Sequence, residues 1–510
     1  MNTDSVIKRY SITLFVNIAK VFTSLVNATI VPNSLGVSNY GNYNFLLRTF
    51  KAIQTFLTLS TNSAFFTYSS KNKKSTNAFI VFIGWAIVQL FIILLIIFGS
   101  IIFGFKGKLF PDQINIFIIL IGILQWVNYI GSISIQFGET KAESVYVQKI
   151  NLLSSLITTA LNVILFLFDI LNLNTFIIIN YIGSLVIISF NYYYFLIKRK
   201  QDYFDRYNPE KTKETISYFV HFCTPLIVYG VFGFISNIFD RWFLQITDGS
   251  VQQGYFSISF RWISIVMIFT TSIISIFWRE VSFAYNKKNI EQVNKIYFKS
   301  LKPIYLLSIF SAIVVYMNSE KIIKLFLHED YYGAISVLKI MAFLPAFLAI
   351  SQINSTFFYA VEKVKLHRNI SIITMILGVL LTYVLVAPTT LIIPGFSLGS
   401  NGIAIKMIVI SIILSTIQSF YILKMIKSSL SQWIYFQFLV LLFLVSAGVL
   451  TNVIIDMFIL NTLLSIISFI IIYTTISGGI LFIKPQLIGI SNEEFIYYKN
   501  QFVRYFQNHK

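Results

Sequence analysis

Residues 32–70 read PNSLGVSNYGNYNFLLRTFKAIQTFLTLSTNSAFFTYSS, and residues 245–283 read QITDGSVQQGYFSISFRWISIVMIFTTSIISIFWREVSF. The two stretches align at a constant offset of 213, which sets Gly36, Gly41, Arg48, Phe56 and Thr58 against Gly249, Gly254, Arg261, Phe269 and Thr271. An arginine repeated inside an apolar run is costly, and intramembrane charge is a functional signal by default. A repeated spanning unit with a repeated buried cation points to a two-lobed transporter, because substrate sites in such proteins lie where the repeats meet.

Composition agrees with this reading. Of 510 residues, 56% are hydrophobic and 12% charged, against about 25% charged in soluble domains. The 51 Phe and 29 Tyr leave little polar surface for water, so the chain is expected to be an all-α polytopic membrane protein. Fourteen apolar segments are each long enough to cross a hydrocarbon core about 30 Å thick. They lie near 10–31, 42–68, 78–104, 113–137, 149–169, 175–197, 218–246, 254–278, 301–318, 335–359, 368–388, 402–424, 433–453 and 459–483. The first is too long for a signal-peptide core and reads as a spanning helix.

The net charge of +19 suggests nucleic acid at first sight, but its placement excludes that class. With both termini cytoplasmic, the outer loops carry only Lys106, Lys108, Lys321 and Lys324, whereas nearly all other basic loop residues fall inside. That asymmetry is a topology signal. Cys223 is the single cysteine, so no intrachain disulfide can form, and the four histidines lack zinc spacing. No G-x-x-x-x-G-K-[ST] loop is present, so the chain drives nothing with ATP by itself, and no cofactor is expected. The expected organisation is an N-lobe over 1–200 with six spans, a cytoplasmic linker helix over 201–217, a C-lobe over 218–424 with six more, and two further spans plus a tail over 425–510.

The first two spans carry polar stripes at helical steps: Thr13, Asn17, Lys20, Ser24 and Asn27, then Asn44, Arg48, Lys51, Thr55, Thr58 and Asn62. At 1.5 Å rise per residue, Arg48 lies about 9 Å into its span, Lys51 about 14 Å and Lys20 about 15 Å. Each charge costs roughly 2.5–3.5 kcal/mol at the bilayer centre, so all three are expected to face protein or water. Ser, Thr and Asn in such stripes often only join helices. The charges fit that reading less well. Lys20, Arg48, Lys51, Arg241, Arg261, Lys339 and Lys406 lie within spans, against a single clear acid, Asp240. The surplus calls for an anion from outside, and a phosphate group is the natural candidate. Arg241, Lys339 and Lys406 lie near span ends, where long side chains can snorkel to the interface. Asp240 is either the partner of a neighbouring cation or a candidate ion-coupling group. Asn237 continues its face.

The stretches VPNSLGVSNYGNYNFLLRTF (31–50), DRWFLQITDGSVQQGYFSISFR (240–261), IIKLFLHEDYYGAISVLKI (322–340), EKVKLHRNISIITMILGVLLTYVL (362–385) and IPGFSLGSNGIAI (393–405) resemble the multidrug/oligosaccharidyl-lipid/polysaccharide exporter superfamily, and within it the Wzx-type polysaccharide flippases. The resemblance implies two six-helix lobes around a V-shaped cavity, followed by two C-terminal helices. It implies flipping of undecaprenyl-pyrophosphate-linked oligosaccharide across the bacterial cytoplasmic membrane for O-antigen or capsule synthesis. It also implies a monomer working beside polymerase and chain-length regulator proteins. Lys20, Arg48, Lys51 and Arg261 occupy helices whose basic residues hold the pyrophosphate in related lipid flippases, with Asn17, Asn44, Thr55, Asn62 and Asn237 lining the cavity. A multidrug cation antiporter of the same superfamily and a membrane-embedded polymerase or glycosyltransferase are the rival readings. A basic cavity suits a drug cation poorly, and the outer loops are short for such an enzyme.

Overall fold

The computed structural model describes residues 6–72, 74–267, 274–458, 461–483 and 496. Every regular element among them is helical, and eleven helices are long and apolar enough to cross a membrane. The protein is an all-α polytopic membrane protein. The helix Ile227–Met267 carries parts of two of the fourteen apolar segments on either side of a kink, and Val6–Leu57 does the same for the first two.

Both kinks have the same cause. Gly36 has φ 74° and Gly249 has φ 76°, each with an extended ψ, a conformation essentially confined to glycine that costs other residues about 1–3 kcal/mol. No atom lies within 4 Å of where a Cβ would stand at either position, so glycine is required there by backbone conformation and not by crowding. Five residues later the requirement reverses. A Cβ on Gly41 would fall 1.9 Å from the Ser250 carbonyl oxygen, and one on Gly254 would fall 2.4 Å from that of Val37. Each repeat's post-kink turn therefore lies directly on the other's. The Ser38 and Ser250 hydroxyls meet at 2.6 Å across this crossing, and Gln245 Nε2 donates to Asn42 Oδ1 at 3.3 Å. The reciprocal contact is the approximate two-fold relation implied by the sequence repeat.

By contacts the chain divides into two compact units, Met1–Ile265 with Ile372–Lys406, and Val266–Ser371 with Met407–Lys510. In the first, Val6–Leu57 packs on Asn115–Thr140 and Ser144–Leu167. Part of the first polar stripe serves that packing. Thr23 bonds Ser155 at 2.9 Å, and Asn27 both donates to Thr159 and accepts from Asn162. On Thr76–Ile102, Phe82, Ala86, Ile93 and Ile97 are buried against neighbours, while Phe91, Leu95, Phe98 and Ile102 stand exposed at steps of four and three, as a lipid-facing stripe must. Leu173–Tyr192 opens with a capping box: the Asn172 side chain accepts from the Thr175 backbone N–H, and Thr175 Oγ1 accepts from that of Asn172.

Turns at one end of this unit are pinned by charge-assisted bonds. Lys141 Nζ donates to the Ser69 and Asn72 carbonyls and to Ser75 Oγ at 2.7–2.9 Å. Glu143 accepts from the Tyr203 hydroxyl at 2.6 Å, tying down the segment that precedes the helix Pro209–Cys223.

The second unit is built around Ile290–Phe326, against which Leu344–Ala360, Leu430–Asp456 and Thr462–Ile483 pack. Its buried polar node is complete. Tyr297 donates to Asn354 Oδ1 at 2.8 Å, and Asn354 Nδ2 donates to Ser419 Oγ at 3.0 Å.

One departure from the sequence expectation matters below. The run 42–68 is not one continuous helix. Leu59 (φ 47°) and Ser60 (φ 64°) interrupt it, and a separate helix, Thr61–Lys71, follows. The freed Leu57 carbonyl accepts from Trp85 Nε1 at 3.0 Å and from Gln89 Nε2 at 3.1 Å, so the break is sustained inside the protein as membrane structure requires.

Substituting Gly41→Ala or Gly254→Ala should destabilise the detergent-solubilised protein by about 1–3 kcal/mol, because backbone must shift to admit the methyl group. Gly84→Ala, where a Cβ meets open space in a helix, should be neutral or stabilising by about 0.5–1 kcal/mol. Equal melting temperatures for the three variants would show that the glycine crossing does not hold the repeats together.

Candidate functional site

The face that carries Arg48 and Lys51 is set by the helix after the Gly36 kink. Steps of three and four bring Arg48, Lys51, Thr55 and Thr58 into line, and the break at Leu59 and Ser60 turns Asn62 onto the same wall. Opposite lies Asn115–Thr140, which contributes Gln125, Asn128, Tyr129 and Ser132, also at helical steps. Together with Leu47 and Gln54 these residues enclose a pocket of about 480 Å³. Its size is within the range of small-ligand sites, roughly 300–1,000 Å³.

Four of the sequence-derived site residues, Arg48, Lys51, Thr55 and Asn62, thus share one cavity. No carboxylate lines it, and among the described residues no salt bridge involves Arg48, Lys51, Lys20 or Arg261. Arg48 lies 5.5 Å from the centre of the Phe260 ring, a cation–π contact to the residue beside Arg261. The repeat-related Arg48 and Arg261 are close enough to repel, and both act electrostatically on the buried phenol of Tyr40, as does Arg241. Three guanidinium groups from the two repeats therefore act on one residue, and the Asp240 carboxylate acts on one of them, Arg241.

Arg241 does not snorkel. Its guanidinium stacks 4.2 Å from the centre of the Phe256 ring and donates to Gln253 Oε1 at 3.2 Å and Ser257 Oγ at 3.1 Å. These hydrogen-bond partners are neutral, and the neighbouring Asp240 carboxylate acts on the same group.

The remaining candidates separate. Asp240 accepts from Lys406 Nζ at 2.5 Å and from Thr382 Oγ1 at 2.6 Å, so this acid and one of the intramembrane cations neutralise each other. Asn44 donates to the Tyr40 carbonyl and Asn237 to that of Gly233, each four residues back along its own helix. Lys20 is half-buried and lies outside the pocket wall. The side chain of Asn17 lies outside the described residues, as does Thr271. Among the described residues no group of His, Cys, Asp and Glu is arranged to hold a metal ion.

The opposite wall was not singled out in the sequence, although its signal is present. Gln125, Asn128, Tyr129 and Ser132 follow the i, i+3, i+4, i+7 pattern within an apolar run. Gln54 is also new. Its amide donates to Gln89 Oε1, and its own Oε1 is buried with no hydrogen-bond partner. An unmade bond of this kind costs about 1–3 kcal/mol.

The family model MatE matches residues 225–384, less than a third of the chain. No curated protein matches the sequence. Among solved structures, the lipid II flippase MurJ in an inward closed conformation is similar with a TM-score of 0.65 and 17% identity, over 93% of this chain and 98% of that one. An inward-facing multidrug resistance MATE family transporter of the MOP superfamily gives a TM-score of 0.61 at 14% identity, over 83% of this chain and 99% of that one. A MOP superfamily transporter from Pyrococcus furiosus, for which a reverse polarity of the binding pocket is described, gives 0.57 at 15% identity, over 82% and 95%. The chain therefore has the fold of these transporters.

The Asp240–Lys406 pair allows a direct test of what the acid does for the fold. Asp240→Asn should destabilise the protein by about 3–5 kcal/mol by leaving Lys406 buried and unpaired. The double variant Asp240→Leu with Lys406→Met should recover most of that loss in thermal unfolding. A single variant as stable as the wild type would show that the pair does not act as a structural strut.

Proposed function

We propose that the protein is a flippase that moves undecaprenyl-pyrophosphate-linked oligosaccharide repeat units across the bacterial cytoplasmic membrane for surface polysaccharide synthesis, with product polymers of the O-antigen or capsule type. The observation that carries this reading is the pocket holding Arg48 and Lys51 with no carboxylate on its wall. A basic, amide-lined cavity inside an apolar bundle demands an anion with polar substituents, and a diphosphate bearing sugars supplies both.

In this reading Arg48 and Lys51 replace water around the pyrophosphate. Arg261, repeat-related to Arg48 and electrostatically coupled to it, meets the same charge from the C-lobe side, and Lys20 guides the headgroup toward it. The polyprenyl tail stays in lipid. The two lobes, over 1–200 and 218–424, alternate the pocket between the membrane faces by rocking about the Gly41–Gly254 crossing. No part of this cycle needs covalent chemistry, so the protein is a transporter and not an enzyme. The cation-antiporter reading is disfavoured by the same pocket, since Arg48 and Lys51 repel a cationic drug. Asp240, already bonded to Lys406, is the remaining candidate for coupling to an ion gradient.

Flipping of a fluorescent lipid-linked oligosaccharide in proteoliposomes tests the proposal. Arg48→Ala and Arg261→Ala should each slow translocation about 10- to 100-fold, the worth of one or two charge-assisted hydrogen bonds, with insertion unchanged. In cells the same variants should lose surface polysaccharide at matched expression. Wild-type rates in both variants would refute the site.

A further inference from the structure

Between Arg368 and Lys406 the sequence holds no Asp, Glu, Lys, Arg or His. This uncharged stretch takes in most of the helix Val364–Val386, the loop 387–398 and the opening of the helix Gly399–Met425. A loop in water is ordinarily polar. This one has an apolar tip: Leu391, Ile393 and Phe396 are exposed, and Ile392 is fully so. The helix before it exposes Ile373, Leu377, Leu380 and Val384 at steps of four, three and four, which is a lipid-facing stripe. Two hydrogen bonds lay the loop beside the last turn of that stripe. The Phe396 N–H donates to the Val384 carbonyl at 2.8 Å, and the Tyr383 hydroxyl donates to the Ile393 carbonyl at 2.9 Å. The exposed apolar surface therefore runs on from helix to loop.

The backbone here is prepared for a place short of water. The last carbonyls of a helix have no partner within it. The returning chain takes them: besides Phe396, the Leu398 N–H donates to Leu385 at 2.9 Å and the Ser397 N–H to Ala387 at 3.1 Å. Gly395 permits this approach, because a Cβ there would fall 2.6 Å from the Ala387 carbonyl oxygen. Pro388 and Pro394, on either side of the tip, have no N–H to satisfy. Internal pairing of this kind is what lipid demands of a backbone. The exposed Thr389 and Thr390 limit the depth. So does Tyr383, whose ring stacks on that of Phe243 at 5.5 Å, beside Trp242; Tyr and Trp gather at the level of the headgroups. We propose that the loop 388–398 is an interfacial anchor, whose partner is the lipid surface itself. Its tip, Leu391 to Ile393 with Phe396, inserts into the boundary between headgroups and acyl chains. The anchor is fastened to the second kinked helix. Ser400 donates to Gln252 Oε1 through its N–H at 3.1 Å and through its hydroxyl, three residues beyond Gly249.

Photolabelling of the wild-type protein in phosphatidylcholine vesicles, with a diazirine carried on the lipid acyl chain and mapped by peptide mass spectrometry, tests the anchor. Residues 391–396 should take label as the exposed residues of Thr76–Ile102 do, whereas the exposed and charged Glu210–Lys213 should take little. Hydroxyl radicals generated in the water should give the reverse pattern on the same wild-type protein. Ile392→Asp combined with Ile393→Asp should lose the label at the tip and keep it on Thr76–Ile102. Adding phosphatidylglycerol or salt should leave the tip's label unchanged, because the loop carries no charge to attract or screen. A wild-type tip that is reached from water and not from lipid overturns the proposal, with or without a folded double variant. So does a tip labelled equally in the aspartate variant, or labelled only in the presence of phosphatidylglycerol. A tip hidden from both phases, in a protein that light scattering shows to be a dimer, assigns the surface to a second copy of the chain and likewise overturns it.

Discussion

Charge within the hydrocarbon core must be answered, and the fold answers it unequally. Lys406 is answered by Asp240 and Thr382. Arg241 is answered by the face of Phe256 and two neutral side chains. Among the described residues Arg48 lies against the ring of Phe260, and no salt bridge involves Arg48, Lys51 or Arg261. The chain forms a complete ion pair a short way along the same repeat, so the missing carboxylates are a feature of one place and not a general poverty of acids. On the proposed reading, these groups are kept for a bound anion and not for stability.

The glycine crossing and the helix break make that place. Gly36 and Gly249 turn the chain, and Gly41 and Gly254 let the two turns touch, which brings Arg48 and Arg261 into electrostatic contact although they are far apart in sequence. The interruption at Leu59 and Ser60 then opens the wall below. Its cost is met by Trp85 and Gln89, whose bonds to the Leu57 carbonyl also orient Gln54. Backbone strain and site chemistry are linked through one carbonyl group.

Much of this was readable from residues alone. The offset between the two stretches paired the glycines that the structure places at both kinks and at the crossing, since glycine has few substitutes at a positive φ or under a neighbour's carbonyl. Helical periodicity placed Arg48, Lys51, Thr55 and Asn62 on one face, and they do share one pocket. Other features needed the third dimension. Lys20, Asn44 and Asn237 fit the same stripes, but whether an amide is spent on its own helix cannot be seen in spacing. The break after Leu57 falls at residues with no glycine or proline to mark it. The partnership of Asp240 with Lys406 joins helices distant in the chain, and Gln125 with Asn128 looks in sequence like any polar pair that joins helices.

The most direct measurement is a cryo-electron microscopy structure of the protein in nanodiscs with an undecaprenyl-diphosphate-linked saccharide bound. The expected result is diphosphate density within hydrogen-bonding distance of Arg48 and Lys51. Diphosphate density elsewhere, with those two side chains against acyl chains or each paired with a carboxylate, would contradict the assignment.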